Sequence, residues 1–139
     1  SLHPAATEGT DLPVEYRELV DGARRLSVNL RFGNGRSFLD SKAIRDLERI
    51  ADFLRAYPRD SHEIILIGFS DLREHNPILA VNMSNDRADY VASELARRGI
   101  AVHRSRGFGQ ALPVADNDNE LGRSKNRRVE IWVRARGKT

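Results

Sequence analysis

Apolar and polar residues alternate near both ends of this sequence, which is the pattern of half-buried β-strands. Residues 25–32 and residues 129–133 each follow it. In the first run the apolar positions on one face are Leu26, Val28, Leu30 and Phe32. Residues 62–68 contain a continuous apolar run, which is typical of a central strand covered on both faces. Residues 103–109 predict a further, less regular strand.

Two helices are predicted between these strands. In the first, which Asp40 or Ser41 can cap, apolar residues recur at three- and four-residue steps. Its apolar positions are Ile44, Leu47, Ala51 and Leu54. The second helix begins after Asn76, a plausible N-cap followed by a proline, and ends before Gly99.

The order of elements predicts the fold class. With a short helix over residues 119–126, the chain reads β-α-β-α-β-α-β. This order indicates an α/β (α+β) two-layer sandwich with helices on one face of a mixed sheet. Residues 1–22 have no sustained period, so we expect a linker or N-terminal arm there, with one helical turn near residues 14–19. Residues 23–139 then form a single domain, a length sufficient for a real core.

Composition excludes several classes of protein. No apolar run approaches the ~20 residues needed to span a bilayer, and residues 1–4 lack the features of a signal peptide. We therefore expect any membrane anchor to lie in an upstream part that is missing here. The chain has no cysteine, which removes disulfides, thiol catalysis and Cys-ligated zinc. The four histidines are too dispersed to suggest a metal site.

Arginine dominates the basic residues of this chain. The net charge is +3, and of the 23 basic residues only three are lysines. A GC-rich genome would produce this bias, and so would recognition of planar anions such as carboxylates or phosphates. Residues 123–138 suggest a nucleic-acid surface. However, Val129, Ile131 and Val133 form one face of a strand there, which leaves the strand's arginines as its solvated side.

Asp71 and Arg87 are the candidate ligand-binding residues. Asp71 follows Ser70 where the apolar strand gives way to a loop, and ligands collect at such strand ends in open α/β sheets. Asp71 can cap local backbone amides or accept an amine. Arg87 lies in the following helix and is either a solvated surface arginine or the partner of a carboxylate. If both face one cleft, they can hold a zwitterion.

The sequence contains no recognisable catalytic motif. Asp71 and His75 can be drawn as an acid/base pair, but no recognisable motif places a nucleophile beside them. Gly107 and Gly109 are followed by Leu112 where a dinucleotide fingerprint requires a small residue. We therefore expect no enzyme activity, no cofactor and no metal.

The densest pattern in the chain lies in residues 107–131. The residues that carry it are Gly107, Gly109, Pro113, Asn117, Gly122, Arg123, Asn126, Arg127, Arg128, Val129 and Glu130. Residues 68–71, Gly-Phe-Ser-Asp, correspond to a second motif, Gly-His-Thr-Asp. Residues 83–88, Met-Ser-Asn-Asp-Arg-Ala, correspond to a third, Leu-Ser-x-x-Arg-Ala. On these residues the chain resembles the OmpA-like peptidoglycan-binding domain of OmpA, Pal and MotB proteins, over about residues 25–135.

The resemblance implies non-catalytic binding of peptidoglycan through the diaminopimelate of its stem peptide. It implies a periplasmic module that anchors a larger envelope protein, tethered to the inner or outer membrane, to the cell wall. Nucleic acid is not an expected partner, and a homodimer is possible. The implied principal contacts are Asp71 and Arg87, and the site is expected to be completed by Ser70, Asn34 and Arg128.

Three positions depart from the family pattern. Gly33 replaces an acidic residue, Phe69 replaces the usual histidine, and Ala80 stands where asparagine is common. The loop over residues 72–79 is one residue longer and rich in Arg, Glu and His. These departures motivate an alternative, in which the fold has lost wall binding and serves as a protein-interaction or regulatory module.

Overall fold

The computed structural model describes residues 2–4 and 12–137 of the chain. Its strands are β1 (Leu2–Pro4), β2 (Arg24–Leu26), β3 (Leu30–Arg31), β4 (His62–Gly68), β5 (Arg104–Gly107) and β6 (Arg128–Ala135). Its helices are α1 (Val14–Val20), α2 (Ser41–Leu54), α3 (Pro77–Arg97) and α4 (Glu120–Asn126). Both long helices have the predicted N-caps, because Asp40 accepts a hydrogen bond from the Ala43 amide and Asn76 accepts one from the Leu79 amide.

The strands form one mixed sheet in the order β1-β2-β6-β4-β5, and β3 pairs with the first two residues of β6. The β4 strand is parallel to β5 and antiparallel to β6, so it is an interior strand with a neighbour on each side, as its apolar run predicts. The predicted mixed α/β fold is confirmed.

Helices α2 and α3 cover one face of this sheet. Leu47 and Leu95 from the helices are buried in one cluster with Leu66 and Ile131 from the central strands. Apolar residues of both helices recur on a single face, which is why each helix lies flat on the sheet. This layer is the predicted two-layer arrangement.

The short helix α1 lies on the opposite face. Its Tyr16 and Val20 are buried against Ile65, Ile67 and Trp132, the alternate residues of the same central strands. A strand that is apolar at consecutive positions needs cover on both sides, and α1 provides it on the second side. Residues 5–11 lie outside the described residues, so the division into an arm over 1–22 and a domain over 23–139 stays a prediction.

The first predicted strand is broken in two. β2 ends at Leu26, β3 begins at Leu30, and Val28 between them is 48% exposed instead of facing the core. The Arg25 side chain donates hydrogen bonds to the Leu26 carbonyl and to the Asn29 side chain, which holds the irregular segment. Local side-chain bonding therefore replaces the strand ladder at residues 27–29.

No helix among the described residues is long and apolar enough to cross a membrane.

Candidate ligand-binding site

Asp71 lies just beyond the end of β4 and is 1% exposed. Its Oδ1 accepts a hydrogen bond from the Arg73 amide at 2.7 Å, and its Oδ2 accepts one from Arg127 Nη1 at 2.9 Å. The first bond is the local turn that the sequence allows, and the second is a buried ion pair. Asp71 therefore has both a structural role and a negative charge at the strand end.

Arg87 is fully buried on α3, and its five N–H donors are all used. Three of them point to backbone carbonyls: Nε to Arg36 at 2.8 Å, Nη1 to Phe69 at 2.9 Å and Nη2 to Gly33 at 3.3 Å. The other two form a fork on the carboxylate of Glu74, with Nη1–Oε1 at 2.8 Å. These carbonyls fix the guanidinium, so it presents a planar fork in one orientation.

Glu74 occupies a cradle of donors formed by Arg87 and two backbone amides. Besides the Arg87 fork, its Oε2 accepts a hydrogen bond from the Gly35 amide at 2.7 Å, and its Oε1 accepts one from the Asp71 amide at 3.0 Å. Both Glu74 and Arg87 have fully buried side chains. Sequence reasoning did not single out Glu74, although the longer, charged loop after Asp71 was the available signal.

Arg127 is the second residue of the candidate site that the sequence did not single out. It joins Asp71 to Glu120, with Nη1–Oδ2 at 2.9 Å to Asp71 and Nη2–Oε2 at 2.5 Å to Glu120. Burial acts to lower the pKa of Arg127, but the hydrogen bonds to these carboxylates raise it overall. The hydrogen bond from Arg127 also lowers the pKa of the exposed Glu120 carboxyl. Asp71 and Arg87 thus have separate ion-pair partners and do not pair with each other.

Ser70 and Asn34 flank this centre in different ways. Ser70 is buried, and its hydroxyl donates to the Ala80 carbonyl at 3.1 Å, which ties the strand end to the start of α3. Asn34 is exposed in the turn after β3. Its neighbours in that turn, Gly33 and Gly35, make the backbone contacts to Arg87 and Glu74.

Arg128 lies on the second face of the sheet. Its guanidinium stands over the Phe69 ring, 3.8 Å from the centroid, and binds Glu130 and the Leu112 carbonyl. Burial lowers the pKa of Arg128, and Glu130 acts in the opposite direction. Arg127, the residue just before β6, reaches Asp71, whereas Arg128, the first strand residue, points to the other face.

The three residues that depart from the family pattern all contribute backbone atoms to the surroundings of Arg87 or Ser70. Phe69 is fully buried and belongs to an aromatic group with Tyr16 and Phe108 on the second face. Gly33 contributes its carbonyl to Arg87, and the buried Ala80 contributes its carbonyl to Ser70. Each position supports the site through its backbone.

Internal ion pairs take up much of the positive charge that a nucleic-acid surface would need. The basic closing segment is largely neutralised internally, since Arg127 pairs with Asp71, Arg128 with Glu130 and Arg134 with Glu63. Among the described residues, no group of three or more His, Asp or Glu side chains is placed to hold a metal ion.

Comparison with known proteins places this geometry in a family. The OmpA family model matches residues 31–127, which is more than half of the chain. The chain is 35% identical to outer membrane porin F of Pseudomonas fluorescens, over 80% of this chain and 34% of the porin. It is 36% identical to the peptidoglycan-binding protein ArfA of Mycobacterium tuberculosis H37Rv, over 75% of this chain and 32% of ArfA.

A solved structure shows the same architecture. The cell wall anchor of the T6SS from Pseudomonas aeruginosa aligns with a TM-score of 0.64 at 27% identity, covering 88% of this chain and 94% of that one. The chain spans only about a third of the length of the porin and of ArfA. The shared fold and the matched motifs lead to one conclusion: this chain belongs to the OmpA family.

Proposed function

We propose that this domain binds peptidoglycan through the diaminopimelate of the stem peptide and so anchors a larger envelope protein to the cell wall. The domain is a non-catalytic module of the OmpA family. In the proposed complex Asp71 accepts the ammonium group of diaminopimelate, and Arg87 binds the neighbouring carboxylate.

The observation that carries this proposal is the cradle around Arg87. A fixed guanidinium fork and the amides of Gly35 and Asp71 converge on one carboxylate, which here belongs to Glu74. Charge-assisted, bidentate bonds of this kind are the strong ones in carboxylate recognition. Because one of the two amides is that of Asp71, the cradle lies directly beside an acceptor for an ammonium group.

The remaining proposed site residues support this centre. Ser70 holds the strand end against α3, and Asn34 lies in the turn whose backbone lines the cradle. Arg128 supports Phe69, whose carbonyl binds Arg87, from the opposite face of the sheet. We assign Ser70 and Arg128 positioning roles and Asn34 a place at the rim of the ligand.

The comparisons support the coarser part of this proposal, binding of peptidoglycan and anchoring to the wall. ArfA is described as peptidoglycan-binding, and the aligned solved structure is a cell wall anchor. Such a domain works in the periplasm, tethered to the inner or outer membrane through a separate part of its protein. A tethered domain facing many ligands on a wall gains avidity of roughly 10²–10⁴-fold, so a modest single-site affinity is sufficient.

Sedimentation with purified cell-wall sacculi tests the proposal. The variants Asp71→Asn and Arg87→Lys each remove one half of the zwitterion site, because the first loses a charge and the second loses the planar fork. We expect each variant to bind sacculi with an apparent affinity at least ten times lower, measured from the sedimented fraction. Arg98→Lys, at the end of the same helix, is the matched control and should sediment like the unaltered protein.

Fluorescence of Trp132, the single tryptophan and a buried one, verifies that each variant is folded. Folded Asp71→Asn and Arg87→Lys proteins that sediment as well as the unaltered chain would contradict the proposal.

A second function, as a protein-interaction module that does not bind the wall, is favoured by two observations. Asp71 and Arg87 are both paired with charged partners from the chain itself. Leu72, Ile78 and Leu79, on the loop after Asp71 and the start of α3, are 58%, 78% and 48% exposed. NMR titration with diaminopimelate separates the two functions, since the interaction module predicts no shifts near Asp71.

A further inference from the structure

Glu74 occupies the position on Arg87 that a ligand carboxylate needs. An arginine has five N–H donors, and in this structure every one of them has an acceptor. A sixth acceptor cannot be added, so a ligand must displace one of the existing ones. Three of these five bonds end on backbone carbonyls next to β4 and in the turn after β3. Moving one of these carbonyls away from Arg87 would require the backbone to unfold locally. Glu74 is the acceptor that a side-chain movement can remove.

The loop that carries Glu74 is held by bonds that can open locally. Residues 71–76 form no helix or strand. The first residue of the loop, Asp71, is held by Arg127 and accepts a bond from the Arg73 amide. Beyond Asp71 and Glu74, the loop is tied by Gln110, whose side chain binds the carbonyls of Leu72 and His75, and by Asn117, which accepts from the Leu72 amide. Partly exposed side-chain bonds of this kind belong to the low-stability end of local opening.

We propose that Glu74 is a built-in competitor that a ligand carboxylate must displace from Arg87, and that it sets both the affinity and the selectivity of the site. This inference rests on the proposed function, because it concerns the same site. A ligand carboxylate can replace Glu74 with equal charge and the same fork geometry. A carboxamide leaves the buried guanidinium without a counter-charge, which is strongly unfavourable. The site therefore selects free diaminopimelate over its amidated form.

Isothermal titration of the unaltered protein and of Glu74→Gln with meso-diaminopimelate tests the inference. The substituted side chain keeps nearly the same shape but gives up the charge that competes for Arg87. We expect Glu74→Gln to bind diaminopimelate at least tenfold more tightly than the unaltered protein does. Glu94→Gln is the matched control, because Glu94 pairs with another arginine, Arg98, on the same helix. Its affinity should equal that of the unaltered protein.

Acetate serves as a second probe that does not depend on peptidoglycan. In NMR spectra, acetate should shift the Arg87 Nε–H resonance of Glu74→Gln saturably and leave that of the unaltered protein in place. If acetate behaves in this way but neither protein binds diaminopimelate or sacculi, the proposed function fails and the competitor role stands. Equal diaminopimelate affinities, or no acetate binding by Glu74→Gln, would overturn the competitor role.

Two further measurements keep the inference testable if Glu74→Gln does not fold. Glu74→Ala opens the cradle completely, and its melting temperature should rise with acetate more than that of Glu94→Gln does. In the unaltered protein, saturating diaminopimelate should move the carboxylate carbon resonance of Glu74 as it leaves Arg87. A Glu74 resonance that stays in place while the Arg87 Nε–H resonance shifts would contradict displacement.

Discussion

Glu130 is a buried carboxylate on the second face of the sheet, satisfied by three side chains. The Tyr16 hydroxyl and Trp132 Nε1 each donate to its Oε1 at 3.1 Å, and Arg128 binds its Oε2 through Nε and Nη2. Burial, followed by the charge and hydrogen bond of Glu130, raises the pKa of the Tyr16 hydroxyl above its ordinary value. This cluster links α1 to the closing strand through charge as well as packing.

The substitution Tyr16→Phe tests that link. Hydrogen bonds to charged groups contribute about 1.5–3 kcal/mol, so we expect a loss of that order in the free energy of unfolding at pH 7. Since the folded-state pKa is raised, the contribution of the hydroxyl is complete below pH ~10 and declines as the pH rises above it. Urea titrations should therefore show a steeper alkaline loss of stability in the unaltered protein than in Tyr16→Phe. Parallel pH curves would be inconsistent with this assignment.

At the scale of elements, α3 lies close to the strands because glycines face it. A Cβ atom at Gly68 would lie 2.1 Å from the Ser84 carbonyl oxygen, and one at Gly107 would lie 2.2 Å from the Ser84 hydroxyl. This contact sets the height of α3 above the ends of β4 and β5, and so positions the Arg87 fork beside the other donors of the cradle. The buried bond from the Gly109 amide to the Ser84 hydroxyl strengthens the same seam.

We expect Gly68→Ala to lower the free energy of unfolding by about 3 kcal/mol, at the upper end of overpacking costs, because backbone rather than a flexible side chain must move. Gly137→Ala is the matched control, since a Cβ there meets nothing within 4 Å. Chemical denaturation followed by Trp132 fluorescence measures both. A Gly68→Ala protein as stable as the control would mean that α3 can rise from the sheet at little cost.

For the molecule as a whole, stability depends on cover for both faces of the sheet. The main core lies under α2 and α3, and the second cluster lies under α1, where Tyr16 is 4% and Val20 is 2% exposed. A chain beginning at Ala23 loses this cover and exposes the Trp132 side of the sheet to water. Burying a large apolar side chain contributes about 1.5–3 kcal/mol.

Truncation at Ala23 should therefore lower the free energy of unfolding by about 3–6 kcal/mol and shift the Trp132 emission to longer wavelength. A chain beginning at residue 12 also lacks β1 but retains α1, so it is the matched control and should be more stable than the chain beginning at Ala23 by that amount. If both truncated chains unfold at the same urea concentration, α1 does not contribute to the core, and the boundary predicted at residue 22 would be supported.

Much of the fold was predictable from the sequence because it depends on local periodicity and end signals. The run at residues 62–68 became β4 with the predicted limits, and Asn76 and Pro77 began the long helix as predicted. The break between β2 and β3 was not predictable, because it depends on hydrogen bonds of the Arg25 side chain that compete with the strand pattern. The packing of α1 on the second face is likewise a long-range contact, and the sequence of a seven-residue helix does not predict it.

The sequence by itself determined the family and the fold class, and it singled out the two charged residues that we propose for the centre of the site. Only the tertiary structure decided which charges meet. Asp71 pairs with Arg127 from the start of the closing strand, and Arg87 pairs with Glu74 from the loop. Ion pairs between residues far apart in sequence depend on the relative positions of whole elements. Periodicity and motif spacing are local and carry no information about those positions. For this reason the cradle, and the carboxylate that fills it, became visible only in three dimensions.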